Sequence, residues 1–293
     1  MEIKCVFVIG AGLMGSGIAQ VCAVSGLEVI LCDVAPEAAE RGIKSIEWSA
    51  AKLVEKGKID GPVESIMARI TPTVNPALAA EAQLCIEAVF EDLSLKQEVF
   101  EKLSRVTARE TLLASNTSAI PISSLAVVVK HPERVLGLHF FSPVPMMQAV
   151  EVVRSQFTSD AVFSLGKSFV EAIGKEPILV HKDVPGFLIN RINFPATIEA
   201  MRLVEAGVGT VEDVDKGLRL ATGRRMGIFE TGDMVGLDVT CGALTAMYEE
   251  TKDSRWYPPA ILRRKVMAGQ LGRKTGKGWY EYNPDGTRKG PAK

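Results

Sequence analysis

The sequence predicts an α/β chain: a doubly wound, mostly parallel sheet carrying an inserted helical hairpin, followed by an all-α C-terminal domain. Three features predict it. A short apolar run, Cys5–Ile9, enters a glycine-rich turn that opens a helix. Strand-like and helix-like runs then alternate as far as Val180. Beyond Asp183-Val-Pro-Gly186 the strand-like runs nearly vanish and long helix-favouring segments replace them. Alternating β and α runs pack as a parallel sheet with crossover helices on both faces.

Taken in order, Cys5–Ile9 is the first strand, Leu13–Ser25 its helix and Glu28–Cys32 the second strand. Pro36 to about Glu55 is long, charged and helix-favouring. The turn Lys56-Gly-Lys-Ile-Asp-Gly-Pro62 follows, and then more helix. These two helices are expected to project as a hairpin before the strand Arg69–Thr73, longer than an ordinary crossover. Leu84–Val89 reads as strand, Leu93–Arg105 as helix, and Thr111–Ser115 and Val135–Phe140 as strands. Ala149–Val153 and Pro177–Val180 are further strands, with helix Asp160–Ile173 between them. The helices of the second half are Phe187–Ala206, Val211–Leu220, Leu237–Glu250 and Pro259–Ala268, and a polar tail follows Asn283. The boundary falls near Val184–Gly186, giving domains 1–185 and 186–293.

A chain of 293 residues, 47% hydrophobic and 24% charged, has room for two buried cores. The net charge of −1 gives no electrostatic reason to expect a nucleic-acid partner. No apolar run is long enough to span a bilayer, and the N-terminus enters strand sequence with no secretory signal pattern. A cytoplasmic location is the expectation. The five cysteines are odd in number and lack a C-x-x-C pair, so they read as free, mostly buried thiols. Three scattered histidines suggest no metal site.

The turn Gly10-Ala11-Gly12-Leu13-Met14-Gly15 suits a dinucleotide. Gly10 allows the tight turn, Gly12 lets backbone approach a pyrophosphate, and Gly15 brings the helix close to the strand. The free N–H groups at the helix start face the phosphate charge. Asp33 ends the second strand about twenty residues on, where a Rossmann-like unit places its ribose-binding carboxylate. A carboxylate there accepts from a free 2′-hydroxyl and repels a 2′-phosphate, and no arginine follows directly. NAD is therefore favoured, with NADP the alternative.

Oxidising an alcohol also needs a base and donors that hold the oxygen. His139 ends an apolar strand, where ligands of doubly wound sheets bind, although a lone histidine there also fits a satisfied core residue. Glu151 lies inside the apolar run Ala149–Val153 and needs a partner, either a histidine that it would orient or an arginine. Ser115-Asn-Thr-Ser118 follows a strand end and either places a hydroxyl or caps a helix. Asn190 opens the second domain, as a donor to substrate or a helix bridge.

Together these motifs resemble the L-3-hydroxyacyl-CoA dehydrogenases, of the 3-hydroxybutyryl-CoA dehydrogenase type, over nearly the whole chain. The resemblance rests on Gly10-Ala-Gly-Leu-Met-Gly-Ser-Gly-Ile-Ala19, Ile86-Glu-Ala-Val-Phe-Glu-Asp92, Ser115-Asn-Thr-Ser118 and His139-Phe-Phe-Ser-Pro-Val-Pro145. It continues through Val150-Glu-Val152, Asp183-Val-Pro-Gly-Phe-Leu-Ile-Asn-Arg191, Gly232-Asp-Met-Val-Gly-Leu-Asp238 and Gly272-Arg-Lys-Thr-Gly-Lys-Gly278. It implies reversible NAD-linked oxidation of a short (S)-3-hydroxyacyl-CoA. His139 would be the general base, Glu151 its orienting partner, and Ser118 and Asn190 the groups that hold the substrate oxygen. Asp33 would bind the ribose, and Glu91, Lys96 and Lys274 match positions that contact NAD. The helical hairpin would carry the coenzyme A tail, with Lys52 and Lys56, one turn apart on one face, either reaching its phosphates or forming a solvated basic face. A homodimer through the helical domain is also implied.

Two departures stand out. Ser142 replaces the family's usual asparagine, which helps position the cofactor, and Ile228 replaces a usual proline. Competing readings are a dehydrogenase of a free hydroxy acid or sugar acid, and a dinucleotide-binding protein without catalysis. The run Phe140-Phe141 counts against the first, and the intact Ser118, His139, Glu151 and Asn190 set counts against the second.

Overall fold

The structure, a computed structural model, describes residues 2–292. The chain divides into two compact units between Phe187 and Leu188, two residues past the expected boundary.

The first unit is built on an eight-stranded sheet. Its strands are β1 (Cys5–Ile9), β2 (Glu28–Cys32), β3 (Ile70–Thr73), β4 (Leu84–Glu87), β5 (Leu112–Ser115), β6 (Val135–Phe140), β7 (Ala149–Arg154) and β8 (Glu176–Val180). Its helices are α1 (Leu13–Val24), α2 (Pro36–Glu55), α3 (Val63–Met67), α4 (Leu93–Val106), α5 (Ile122–Ala126) and α6 (Asp160–Ala172). The strand order is β3-β2-β1-β4-β5-β6-β7-β8, with the chain reversing direction outward from β1 after β3. Ligands of such sheets bind where that reversal opens a crevice at the strands' carboxyl ends.

Side chains alternate between two apolar layers. Val6 and Val8 face α1, α2 and α6, while Phe7 and Ile9 face α4 and α5. Strands covered on both faces are apolar throughout, which is why they are legible as runs rather than as alternations. Both edge strands, β3 and β8, carry a proline, Pro72 and Pro177, which cannot donate to a further strand.

One pairing in the sheet is antiparallel. β6 and β7 run in opposite directions, and β7 and β8 are parallel to each other. Only residues 141–148 join β6 to β7, too short a link for a parallel return.

The hairpin is lopsided. α2 has twenty residues but α3 only five. α2 does not project freely: Ala39, Gly42, Ile46 and Ala50 are buried on the face that meets α1 and β3. A Cβ at Gly42 would stand 3.0 Å from the Ala11 carbonyl oxygen and from Ser16 Oγ, so glycine permits this approach.

The second unit holds α7 (Ile189–Glu205), α8 (Val211–Thr222), α9 (Ile228–Val235), α10 (Leu237–Thr251) and α11 (Ala260–Met267). It is helical, but the expectation of helices alone is corrected by an antiparallel pair, β9 (Tyr280–Tyr282) with β10 (Arg288–Pro291), the second strand of which lies in the polar tail. Two buried aspartates tie this pair down. Asp233 accepts from the Trp279 and Tyr280 amides and the Tyr282 hydroxyl, and Asp215 accepts from the Tyr280 hydroxyl. Cys22, Cys32 and Cys85 are buried free thiols, and burial pushes the Cys22 thiol up to about 12. No helix among the described residues is long and apolar enough to cross a membrane.

Candidate active site

The glycine turn has the shape a pyrophosphate needs. Gly10 sits at φ +101°, and a Cβ there would stand 2.5 Å from the Ala88 carbonyl oxygen. A Cβ on Gly15 would collide with the Gly10 carbonyl oxygen. Gly12, by contrast, faces open space and begins α1 with no side-chain cap. The first turn of α1 therefore presents N–H groups that the helix itself cannot satisfy. Asp33 fixes the turn from the next strand: its Oδ2 accepts from the Ala11 amide at 2.7 Å and its Oδ1 from the Val34 amide at 2.8 Å. Each oxygen keeps a further lone pair for a ribose hydroxyl. These residues fit a dinucleotide with an unphosphorylated ribose. Leu13 and Val34, next in sequence to Gly12 and Asp33, are exposed apolar side chains.

His139 and Glu151 are directly opposed across the antiparallel β6–β7 ladder. Cross-strand partners bring their side chains together on one face. The His139 Nδ1–H donates to Glu151 Oε2 at 2.7 Å, and both groups are buried. An ionised carboxylate only accepts, so this bond puts the proton on Nδ1 and leaves the Nε2 lone pair outward. Nε2 lies 3.0 Å from the hydroxyl of Ser118. Phe141 and Phe187 pack against the imidazole with ring centres 4.6 and 5.6 Å away. The result is a proton acceptor of fixed tautomer, walled by apolar rings, with a hydroxyl at hydrogen-bond distance.

The Ser118 loop is held from below. Glu91 Oε1 accepts from the Thr117 hydroxyl, from the Ser118 amide at 3.0 Å and from the Ala119 amide at 3.1 Å. Lys96 is buried, with its ammonium 2.6 Å from Glu87 and 3.3 Å from Glu91. Glu87, at the end of β4, also accepts from the Ser115 hydroxyl and the Val89 amide. Burial pushes the Glu87 carboxyl up, opposed by the Lys96 charge and these donors.

The other expected site residues are carried by further elements. Ser142 is half-buried on the loop just past β6. Lys52 and Lys56 are exposed at the end of α2, and Lys52 pairs with Glu55 at 2.9 Å. Asn190 is the second residue of α7, half-buried, in the second unit. Lys274, also there, is exposed and pairs with Asp238 at 2.7 Å. Ile228 is the first residue of α9, a position where proline is equally at home, and the Phe229 and Glu230 amides behind it are capped by Asp215.

Three contributors had no individual role assigned from the sequence. Asn116 Oδ1 accepts from the Phe140 amide at 2.9 Å and so pins the strand end that carries His139. Lys175 is buried and donates to the carbonyls of Val144, Pro145 and Met147, anchoring the loop beyond Ser142. Burial pushes its ammonium down. Glu87 is the third. Its signal was an acid inside the apolar run Leu84–Glu87, the same signal that drew attention to Glu151.

An imidazole of fixed tautomer on the same sheet as a glycine-rich strand-to-helix turn suits alcohol–carbonyl redox chemistry, which points to the class of nucleotide-dependent oxidoreductases. The chain belongs to the 3-hydroxyacyl-CoA dehydrogenase family: residues 5–184 match its NAD binding domain and residues 186–282 its C-terminal domain. It is 40% identical over 283 residues to the probable 3-hydroxybutyryl-CoA dehydrogenase of Bacillus subtilis, covering 96% of this chain and 98% of that one. Among solved structures, FadB2 of Mycobacterium tuberculosis matches with a TM-score of 0.93 at 40% identity, over 97% of this chain and all of that one. The (S)-3-hydroxybutyryl-CoA dehydrogenase PaaH1 of Ralstonia eutropha matches at 0.88 and 36% identity, over 96% of this chain and 100% of that one.

Proposed function

We propose that the chain interconverts a short (S)-3-hydroxyacyl-CoA, such as 3-hydroxybutyryl-CoA, and its 3-ketoacyl-CoA. The observation that carries this reading is the Glu151–His139–Ser118 chain, with bonds of 2.7 and 3.0 Å. In the oxidative direction His139 Nε2 takes the proton of the 3-hydroxyl. Glu151 stabilises the imidazolium that results and keeps the ring in place. Bound NAD supplies the hydride acceptor. Ser118 holds the substrate oxygen as it becomes a carbonyl, and the family resemblance extends that role to Asn190. Asp33 and the Gly10–Gly15 turn hold the ribose and pyrophosphate, Ser142 and Glu91 add cofactor contacts, and the resemblance assigns Lys96 and Lys274 the same role.

Lys52 and Lys56 are offered to coenzyme A phosphates. The Lys52–Glu55 pair is exposed and screened by solvent, so a phosphate can displace it. A homodimer and a cytoplasmic location go with this reading, and sedimentation and cell fractionation test them.

The deciding experiment is turnover of acetoacetyl-CoA with NADH, run beside NADPH and beside free acetoacetate. Turnover confined to the CoA ester with NADH is expected. Reduction of the free acid alone would sink the CoA reading. NADH binding without turnover of any ketone would favour a non-catalytic protein.

A further inference from the structure

Glu87 is a fully buried carboxylate for which the proposed chemistry has no use. Burying a charge is costly unless it is paired, and a buried ion pair is often no more stable than an apolar replacement. Fold stability is therefore a weak reason for the Glu87–Lys96 pair, and its connections point elsewhere.

Those connections converge on one loop. Glu87 Oε2 accepts from the Ser115 hydroxyl at 2.6 Å, and Ser115 Oγ in turn accepts from the Thr117 amide at 3.1 Å. On its other side Glu87 Oε1 holds the Lys96 ammonium at 2.6 Å, and Lys96 reaches Glu91 Oε2 at 3.3 Å. Glu91 Oε1 closes the circuit on the Ser118 and Ala119 amides. Both arms that leave Glu87 thus end on residues 117–119, whose Ser118 hydroxyl stands 3.0 Å from His139 Nε2. The Lys96 ammonium has three protons, and Glu87, Glu91 and the Val89 carbonyl oxygen supply three acceptors within the protein.

We propose that Glu87 and Lys96 are positioning residues that act through Glu91 and Ser115 to set the Ser118 hydroxyl against His139. The assignment rests on Ser118 holding the substrate oxygen. Misplacement of a reacting group by about 1 Å costs about a hundredfold in rate, so the pair has a rate to protect.

The test is a cycle of variants in acetoacetyl-CoA reduction at saturating NADH: Glu87→Gln, Lys96→Met, Ser118→Ala, and each of the first two combined with Ser118→Ala. Glu87→Gln keeps the shape of the side chain, so it decides the matter even if Lys96→Met fails to fold. The expected result is a kcat loss of about tenfold to a hundredfold for each single variant, with NADH Kd in Glu87→Gln within about threefold of the parent. In the Ser118→Ala background the same changes should cost little more, because groups acting through one residue are not additive.

Parent kcat in Glu87→Gln and Lys96→Met, with only the melting temperature lowered, would mean a structural pair and overturn the proposal. Losses that multiply with that of Ser118→Ala would overturn it too. So would a Lys96→Met variant with weakened NADH binding and intact kcat, which would make Lys96 a cofactor contact. Parent activity in Ser118→Ala would remove both the role of Ser118 and the proposal built on it, which separates the two failures.

Discussion

His139 owes its chemistry to one cross-strand neighbour. With Glu151 opposite it, the ring has a single tautomer and a charge partner once protonated. His139→Gln fills similar space but cannot take the proton. Its kcat should fall by about 10²–10⁴-fold, the usual worth of general-base catalysis, while NADH affinity measured by fluorescence titration stays at the parent value. A loss under about tenfold would assign the base elsewhere. Asp33 closes the turn on the Ala11 amide, and the proposed function gives its charge the ribose to hold. Asp33→Ala should weaken NADH more than NADPH. It should also cost about 1.5–3 kcal/mol of stability from the lost charged hydrogen bond, read by thermal melting. An unchanged ratio of the two cofactor affinities would show that selection lies in other residues.

At the scale of elements, the turn separates two roles of glycine. Gly57 sits at φ +60° in open space, whereas Gly10 combines φ +101° with a neighbouring carbonyl. Gly57→Ala should cost about 1–2 kcal/mol, the strain of a left-handed alanine, and leave NADH binding intact. Gly10→Ala should cost more and abolish binding, because the Ala88 backbone would have to move. Equal effects on binding would mean that the turn is not the pyrophosphate site.

The same elements explain what the sequence could reveal. Strands such as Cys5–Ile9 are buried on both faces and flanked by glycine or polar residues, so they announce themselves. The direction of Ala149–Arg154 is hidden, since an apolar strand reads alike whichever way it runs. His139 and Glu151 were each legible as polar residues in apolar runs, but only the antiparallel register of β6 and β7 joins them. α9 is eight residues long and is preceded by Gly227, too short for a periodic signal. β10 is polar and ends in proline, so nothing in its composition marks a strand. Glu87 was visible, but its partner Lys96 lies nine residues on, inside an ordinary charged helix.

On the scale of the whole molecule, each unit carries its own interior, and their stabilities are set by different chemistry. The first unit rests on a sheet sealed on both sides by apolar layers. The second uses polar ties: Asp215 links α8 to the start of α9 and to Tyr280, and Asp233 links α9 to β9. Burial and the adjacent carboxylates push both the Tyr280 and Tyr282 hydroxyls far above the ordinary phenol range. The sign follows from linkage. A group with a raised folded pKa contributes stability that is fully present below its unfolded value, about 10 for tyrosine, and is lost as pH rises through the folded value. Trp256 and Trp279 are buried in the second unit, whereas Trp48 in the first is 69% exposed, so tryptophan emission follows mainly the second unit. Emission-monitored melting temperatures should therefore hold up to about pH 10 and fall progressively above it. A Tyr280→Phe/Tyr282→Phe double variant should be less stable at neutral pH by about 1.5–3 kcal/mol per lost bond to a carboxylate. Its alkaline slope should be shallower, so that the gap to the parent narrows as pH rises. Parallel slopes would show that the two hydroxyls do not carry the alkaline sensitivity.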